Sequence, residues 1–223
     1  YRSAAATLPS IADWLAFRAV ALTDDSVTRA RTADGITSAI VRDRLPLAEA
    51  QARERAGDSV GAATRYAALG AWSDAYRLRL ATDTAPTARS ALRAELVSAV
   101  TDARGSARGR AAARVLAALR PLAAHEELLV GRTLADAGDD AGASAALSRA
   151  LKAGEGTADD RFAYASALFG LRRYTDAAFQ YNLVRAPHSL AANAAYARAR
   201  ALVRAGQAGE GRSALRDVLR RYS

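Results

Sequence analysis

Cysteine and methionine are absent from the 223 residues, lysine occurs once, at Lys152, and histidine twice, at His125 and His188. Without cysteine there is no disulfide, no thiolate nucleophile and no sulfur-based metal site. Its absence fits an exported chain and a cytosolic one equally. The two histidines stand far apart, with no neighbour at the i+3 or i+4 spacing that chelation uses, and read as loop or helix-end residues. Only 5 prolines and 15 glycines are present, too few for a β-rich fold with many tight turns. Aromatic residues make up 6% of the chain. No apolar run approaches the roughly 20 residues that a bilayer requires, and no secretory signal pattern is visible.

What is present is mostly alanine, leucine and arginine. Hydrophobic residues reach 51%. Alanine has the best helix propensity and lets helices approach closely. The formal net charge is +9, and all but one of the 32 basic residues are arginine. A GC-rich genome accounts for that composition; attraction to polyanions is the other reading. The charge is uneven along the chain. Residues 121–160 carry a net −5, and residues 161–223 a net +8.

The chain repeats. Gly131, Ala165 and Ala199 are spaced by 34 residues, the tetratricopeptide period. The same offset joins Leu134, Leu168 and Leu202; Ala143, Ala177 and Gly211; Leu147, Tyr181 and Leu215; and Ala150, Val184 and Val218. Small residues belong where the two helices of a hairpin cross, and large apolar ones where one hairpin packs on the next. Gly138 and Gly206 fall at the turn between helices, where a left-handed conformation is often needed. In the middle copy Arg172 replaces that glycine.

Earlier in the chain the pattern is looser. Gly57, Ala62 and Tyr66 match one more hairpin, with its first helix over 46–56. Gly70 ends the second helix, and Ser73 is placed to cap a short helix through Arg79. Pro86 opens a helix to about residue 102, and Gly105 separates it from one over 106–119. Pro9 opens a helix to about Leu22, Thr23 to Asp25 make a turn and cap, and Pro46 ends a helix holding Ile36, Ile40 and Val41. The expectation is an all-α fold, an α-solenoid of about seven helix hairpins whose neighbours bury one another's faces. Residues 1–105 form its irregular part and 106–223 its tetratricopeptide-like part. The stretch Asp102 to Arg110 is the candidate hinge.

Chemistry is harder to find. Glycosidic cleavage needs two carboxylates converging on one bond. Glu126 and Glu127, Asp139 and Asp140, and Asp159 and Asp160 are adjacent pairs, and adjacent helical residues point about 100° apart. Asp159 and Asp160 follow Thr157 at a helix start, where a capping box and the helix dipole explain them. No phosphate loop, serine nucleophile motif or cofactor signature is present. Tetratricopeptide arrays bind along the first helices of their hairpins. The register places Arg132 and Asp136, then Phe162, Ser166 and Phe169, then Asn193, Tyr196, Arg200 and Arg204 on that groove. Tyr196, Arg200 and Arg204 lie at i, i+4 and i+8 and share one face, and tyrosine and arginine are frequent interface anchors. Another candidate patch is Arg104, Arg108, Arg110 and Arg114. Nucleic acid is disfavoured, because aromatics do not interleave with the basic residues as a single-strand stacking platform requires.

Residues 8–22, "LPSIADWLAFRAVAL", resemble the start of the superhelical domain of soluble lytic murein transglycosylases, and residues 45–81 are similar in style. In that family an α-superhelix ending in tetratricopeptide-like repeats precedes a small lysozyme-like catalytic domain. The family's Glu-Ser signature and its Gly-Leu-Met-Gln-like stretch do not occur here. The resemblance therefore implies a non-catalytic superhelix, part of a longer chain, in the periplasm or cell envelope. Its partners would be peptidoglycan and the catalytic domain of the same chain. The alternative is a tetratricopeptide adaptor, possible also in the cytoplasm, that binds a protein or peptide in its groove.

Overall fold

The computed structural model describes Leu8, residues 11–185 and residues 187–222. The expectation that Pro9 opens the first helix lies outside the described residues. Among those residues all regular structure is helical. The chain divides into two compact units, Tyr1–Leu92 and Arg93–Ser223.

The first unit holds α1 (Ala12–Leu22), α2 (Ser26–Asp34), α3 (Ala39–Arg42), α4 (Leu45–Arg55), α5 (Ser59–Ala68) and α6 (Trp72–Thr82). α7 (Pro86–Asp102) begins in this unit, with Pro86 in its first turn, where its missing N–H costs nothing. Two small cores hold the elements together. Phe17, Val20, Ile36, Val41 and Ala48 form one; Ala50, Ala62, Tyr66, Ala75 and Leu78 form the other. Asp25 caps α2 by accepting from the Thr28 N–H at 2.6 Å.

Two expectations fail here. Ile36, Ile40 and Val41 do not share one helix. Asp13, from α1, accepts hydrogen bonds from Thr37 N at 3.1 Å, Thr37 Oγ1 at 3.0 Å and Ser38 N at 2.6 Å. A carboxylate distant in sequence thus satisfies N–H groups that a continuous helix would have bonded itself. Ile36 enters the core from the break after α2, fully buried. Ser73 does not cap either. α6 starts one residue before it and runs on to Thr82, beyond Arg79.

The second unit contains the rest of α7, then α8 (Ala107–Ala118), α9 (Ala124–Asp136), α10 (Asp140–Lys152), α11 (Ala158–Gly170), α12 (Tyr174–Asn182), α13 (His188–Arg204) and α14 (Ala208–Tyr222). From α8 onward each helix packs on the next. First helices also meet across hairpins, α9 on α11 and α11 on α13. The 34-residue register survives folding. Gly138, Arg172 and Gly206 all have positive φ, 72°, 61° and 84°. After each of them the chain closes the same hydrogen bond: Asp139 N to Leu134 O, Arg173 N to Leu168 O and Gln207 N to Leu202 O, each 2.9 Å. This is the Schellman arrangement, which satisfies a carbonyl the helix end would otherwise orphan.

The small columns are small for a steric reason. A Cβ on Gly131 would lie 2.6 Å from Leu147 Cγ, and one on Gly211 would lie 2.5 Å from Val203 Cγ2. Ala143, Ala165, Ala177 and Ala199 are fully buried at equivalent crossings. The stretch between α7 and α8 is tied by side chains. Ser106 accepts from Gly109 N at 3.0 Å, Arg110 donates to Gly105 O at 2.7 Å, and Arg104 pairs with Asp136 at 2.7 Å.

Candidate functional site

Charge in the second unit is organised along the register. Glu126, Glu127 and Asp136 on α9, Asp139 before α10 and Asp160 on α11 are taken up by arginines. Arg93 holds Glu126, with Nε to Oε1 at 2.9 Å. Arg149 grips Glu127 with two bonds of 2.6 and 2.9 Å, and Arg120 stands 3.5 Å from the same carboxylate. Arg132 grips Asp160 at 2.6 and 2.8 Å. Arg114 lies 3.8 Å from Asp139, which itself caps α10 through Gly142 N at 3.0 Å. Asp160 is 2% exposed and completes a capping box with Thr157. Burial pushes its carboxyl pKa up, but Arg132 and the Thr157 N–H and hydroxyl outweigh that and bring it down to about 2. Glu126 is likewise lowered, chiefly by Arg93. These carboxylates therefore serve as fixed anions that join helices.

Arg200 in α13 has no carboxylate partner among the described residues. Its guanidinium lies 5.5 Å from the Phe169 ring centre and 5.8 Å from that of Tyr196. Phe169 in turn meets Tyr174 edge to face at 5.1 Å. The result is a cation set between two aromatic faces at the meeting of α11 and α13, with Tyr196 51% exposed. Asn193 and Arg204 are exposed on the same helix, three residues before Tyr196 and four after Arg200. These five groove candidates, Phe169, Asn193, Tyr196, Arg200 and Arg204, thus belong to one face. Phe162 is half-buried and packs edge to face on Tyr181 at 5.2 Å, and Arg132 is committed to Asp160. Ser166 shares a hydrogen bond of 3.0 Å with the Tyr181 hydroxyl, and Asp136 pairs with Arg104. Tyr174 belongs to the aromatic set although the groove pattern did not include it, because it stands at the start of a second helix.

The first unit has a polar recess of its own, about 690 Å³, lined by Glu54, Tyr66, Asp74 and Arg77 among others. Glu54 accepts from the Tyr66 hydroxyl at 3.0 Å and pairs with Arg77 at 2.8 Å. Burial, then Glu54, push the Tyr66 hydroxyl pKa up to about 12. The network is closed on itself, and its charges answer one another.

His125 stands exposed in the first turn of α9, and no group of three His, Asp or Glu residues with metal-binding geometry occurs among the described residues. No described helix is long and apolar enough to cross a membrane. No protein-family model, curated protein or solved structure matches the chain.

Proposed function

We propose that this chain is a non-catalytic helical scaffold that binds an anionic partner on the α11–α13 face. One observation carries the reading: Arg200, held between Phe169 and Tyr196, has no acid of its own among the described residues, whereas Arg93, Arg132 and Arg149 are each closed on a carboxylate. A guanidinium stacked on aromatic rings has lost little hydrogen-bonding capacity. It still offers its N–H fork edge-on to a carboxylate or phosphate, and its orientation is fixed in advance. Exposed Asn193 and Arg204 extend the same strip with further donors. A protein or peptide partner rich in Asp and Glu fits this chemistry.

The resemblance of residues 8–22 and 45–81 supports a narrower form of the proposal. The scaffold is then the superhelical part of a lytic transglycosylase, and its partner is peptidoglycan, whose peptide stems carry carboxylates. The test is co-sedimentation with purified peptidoglycan, together with titration of an acidic peptide, using the wild type and an Arg200→Glu, Arg204→Glu double variant. Loss of either binding in the variant, with the helical circular-dichroism signal intact, supports the α11–α13 face. Binding to the peptide but not to peptidoglycan favours the adaptor form. Full-strength binding by the double variant overturns the assignment of the face.

A further inference from the structure

A cavity of about 270 Å³ opens between α12, α13 and α14. Buried Val184, Ala191 and Ala214 line it with half-buried Ala195, and so do Arg185, Arg198 and Arg221. None of the three arginines forms an ion pair of 4 Å or less among the described residues, while Arg221 is near enough to Asp217 to help hold its carboxyl below the usual range. Asp217, also in the lining, is engaged by Arg220.

Comparison with the preceding hairpin shows why the cavity exists. Thirty-four residues earlier, Ala195 corresponds to Arg161 and Ala214 to Gln180. Those two side chains meet there through a 2.9 Å hydrogen bond. In the last hairpin both are cut back to methyl groups, which leaves the space empty. The arginines are gained in the same step. Arg185, Arg198 and Arg221 stand in the register of Leu151, Tyr164 and Pro187, none of them charged. Two large polar side chains have become alanine, and three uncharged positions around them have become arginine. Packing alone does not call for that exchange, because guanidinium groups repel one another and are only partly covered here.

We propose that this cavity is a binding site for a compact dianion of the phosphate or sulfate type, carried by a small molecule. Guanidinium forks suit tetrahedral oxyanions, which accept paired N–H bonds on several edges. The apolar floor has room for a small body attached to the anion. The site uses none of the α11–α13 strip, so either proposal stands if the other falls.

Inorganic phosphate is the probe, titrated calorimetrically into the whole chain at low ionic strength. One saturable site is expected. An Arg198→Gln, Arg221→Gln variant weakens binding by about tenfold per arginine removed. An Arg212→Gln, Arg216→Gln variant, at exposed positions of α14 outside the lining, leaves it unchanged. The decisive variant is Ala195→Arg, Ala214→Gln, which rebuilds the pair of the preceding hairpin inside the cavity. It raises the net charge by one and should still abolish binding, because the space is filled. Stronger binding by that variant, an equal loss in both arginine pairs, or no saturable binding by the wild type would each overturn the site. If the filled variant fails to fold by circular dichroism, the two arginine-to-glutamine variants decide alone. Sulfate in place of phosphate then separates a general oxyanion site from a phosphate-selective one.

Discussion

Arg132 in α9 and Arg200 in α13 occupy the same position of the repeat, yet their surroundings differ in kind. Arg132 reaches across to the next hairpin and closes on a carboxylate that is 3% exposed. Arg200 meets no acid and lies against aromatic rings. Between them, in the middle copy, stands Ser166. The acid column runs Glu126, Asp160, Ala194. So where the arginine is lost, at Ser166, the acid it would have met, at position 194, is lost too. At that step of the repeat the ion pair is discarded as a pair. Keeping half of one would bury a charge without compensation. The acid that the register would set against Arg200 falls at position 228, outside the 223 residues; Arg200 itself is exposed.

The largest effect should come from breaking the closed half of that comparison. Arg132→Met leaves the Asp160 carboxylate buried, with only Thr157 to answer it. Removing one partner of a buried pair costs about 3–5 kcal/mol, and the remaining Thr157 bonds place this case at the low end. Denaturant unfolding of the variant measures it; a loss under about 1 kcal/mol would show the pair to be ornamental. The same pair sets a pH dependence. Asp160 has a folded pKa below its unfolded one, so its contribution is complete above about pH 4 and is lost as pH falls through about 2. A melting series from pH 5 to 2 should show this acid-side loss in the wild type. The loss should shrink in Arg132→Met.

Next in size is the helix crossing common to all three copies. Ala177 is fully buried where α11 and α12 cross. Ala177→Leu adds three heavy atoms to that contact and should cost about 1–3 kcal/mol. An unchanged melting temperature would mean that the register used throughout is misplaced.

Arg172 gives a smaller effect of opposite sign. It holds φ 61° at a turn where the other two copies have glycine. A left-handed residue with a side chain costs about 1–2 kcal/mol, and the added freedom of glycine in the unfolded chain takes back about 0.4–1. Arg172→Gly should therefore stabilise by about 0.5–1 kcal/mol, read from the denaturation midpoint.

The hairpin register was legible in the sequence because the same sterics recur every 34 residues, at Gly131, Ala165 and Ala199 and at the Gly138, Arg172, Gly206 turn. The first unit was less legible. The break between α2 and α3 depends on Asp13, more than twenty residues away, and no local periodicity reports such a bond. That Tyr196, Arg200 and Arg204 share one exposed face of α13 was legible from the i, i+4 spacing. What the pattern did not convey is that Arg132 is occupied; that requires knowing that the acid at position 160 faces the arginine at 132 across two first helices. The cavity beside Arg198 was hidden for a related reason. It appears only when residues that differ between copies are compared, whereas repeat finding looks for those that agree.

The smallest effect tests the open half of the comparison. Arg200→Gln removes a guanidinium from two rings at an exposed position. A cation–π contact at such a site is worth about 0.5–1 kcal/mol, and the glutamine amide and stem keep part of the packing. No acid is left orphaned, because none was paired. The expected change in unfolding free energy is therefore within about 0.5 kcal/mol, against about 3 for the register-equivalent Arg132→Met. Partner binding should move the other way, with Arg200→Gln weakening it several-fold. If Arg200→Gln instead destabilised the fold as much as Arg132→Met does, the arginine would be a structural tie like its counterpart in α9. The α11–α13 face would then lose its claim to be a recognition surface.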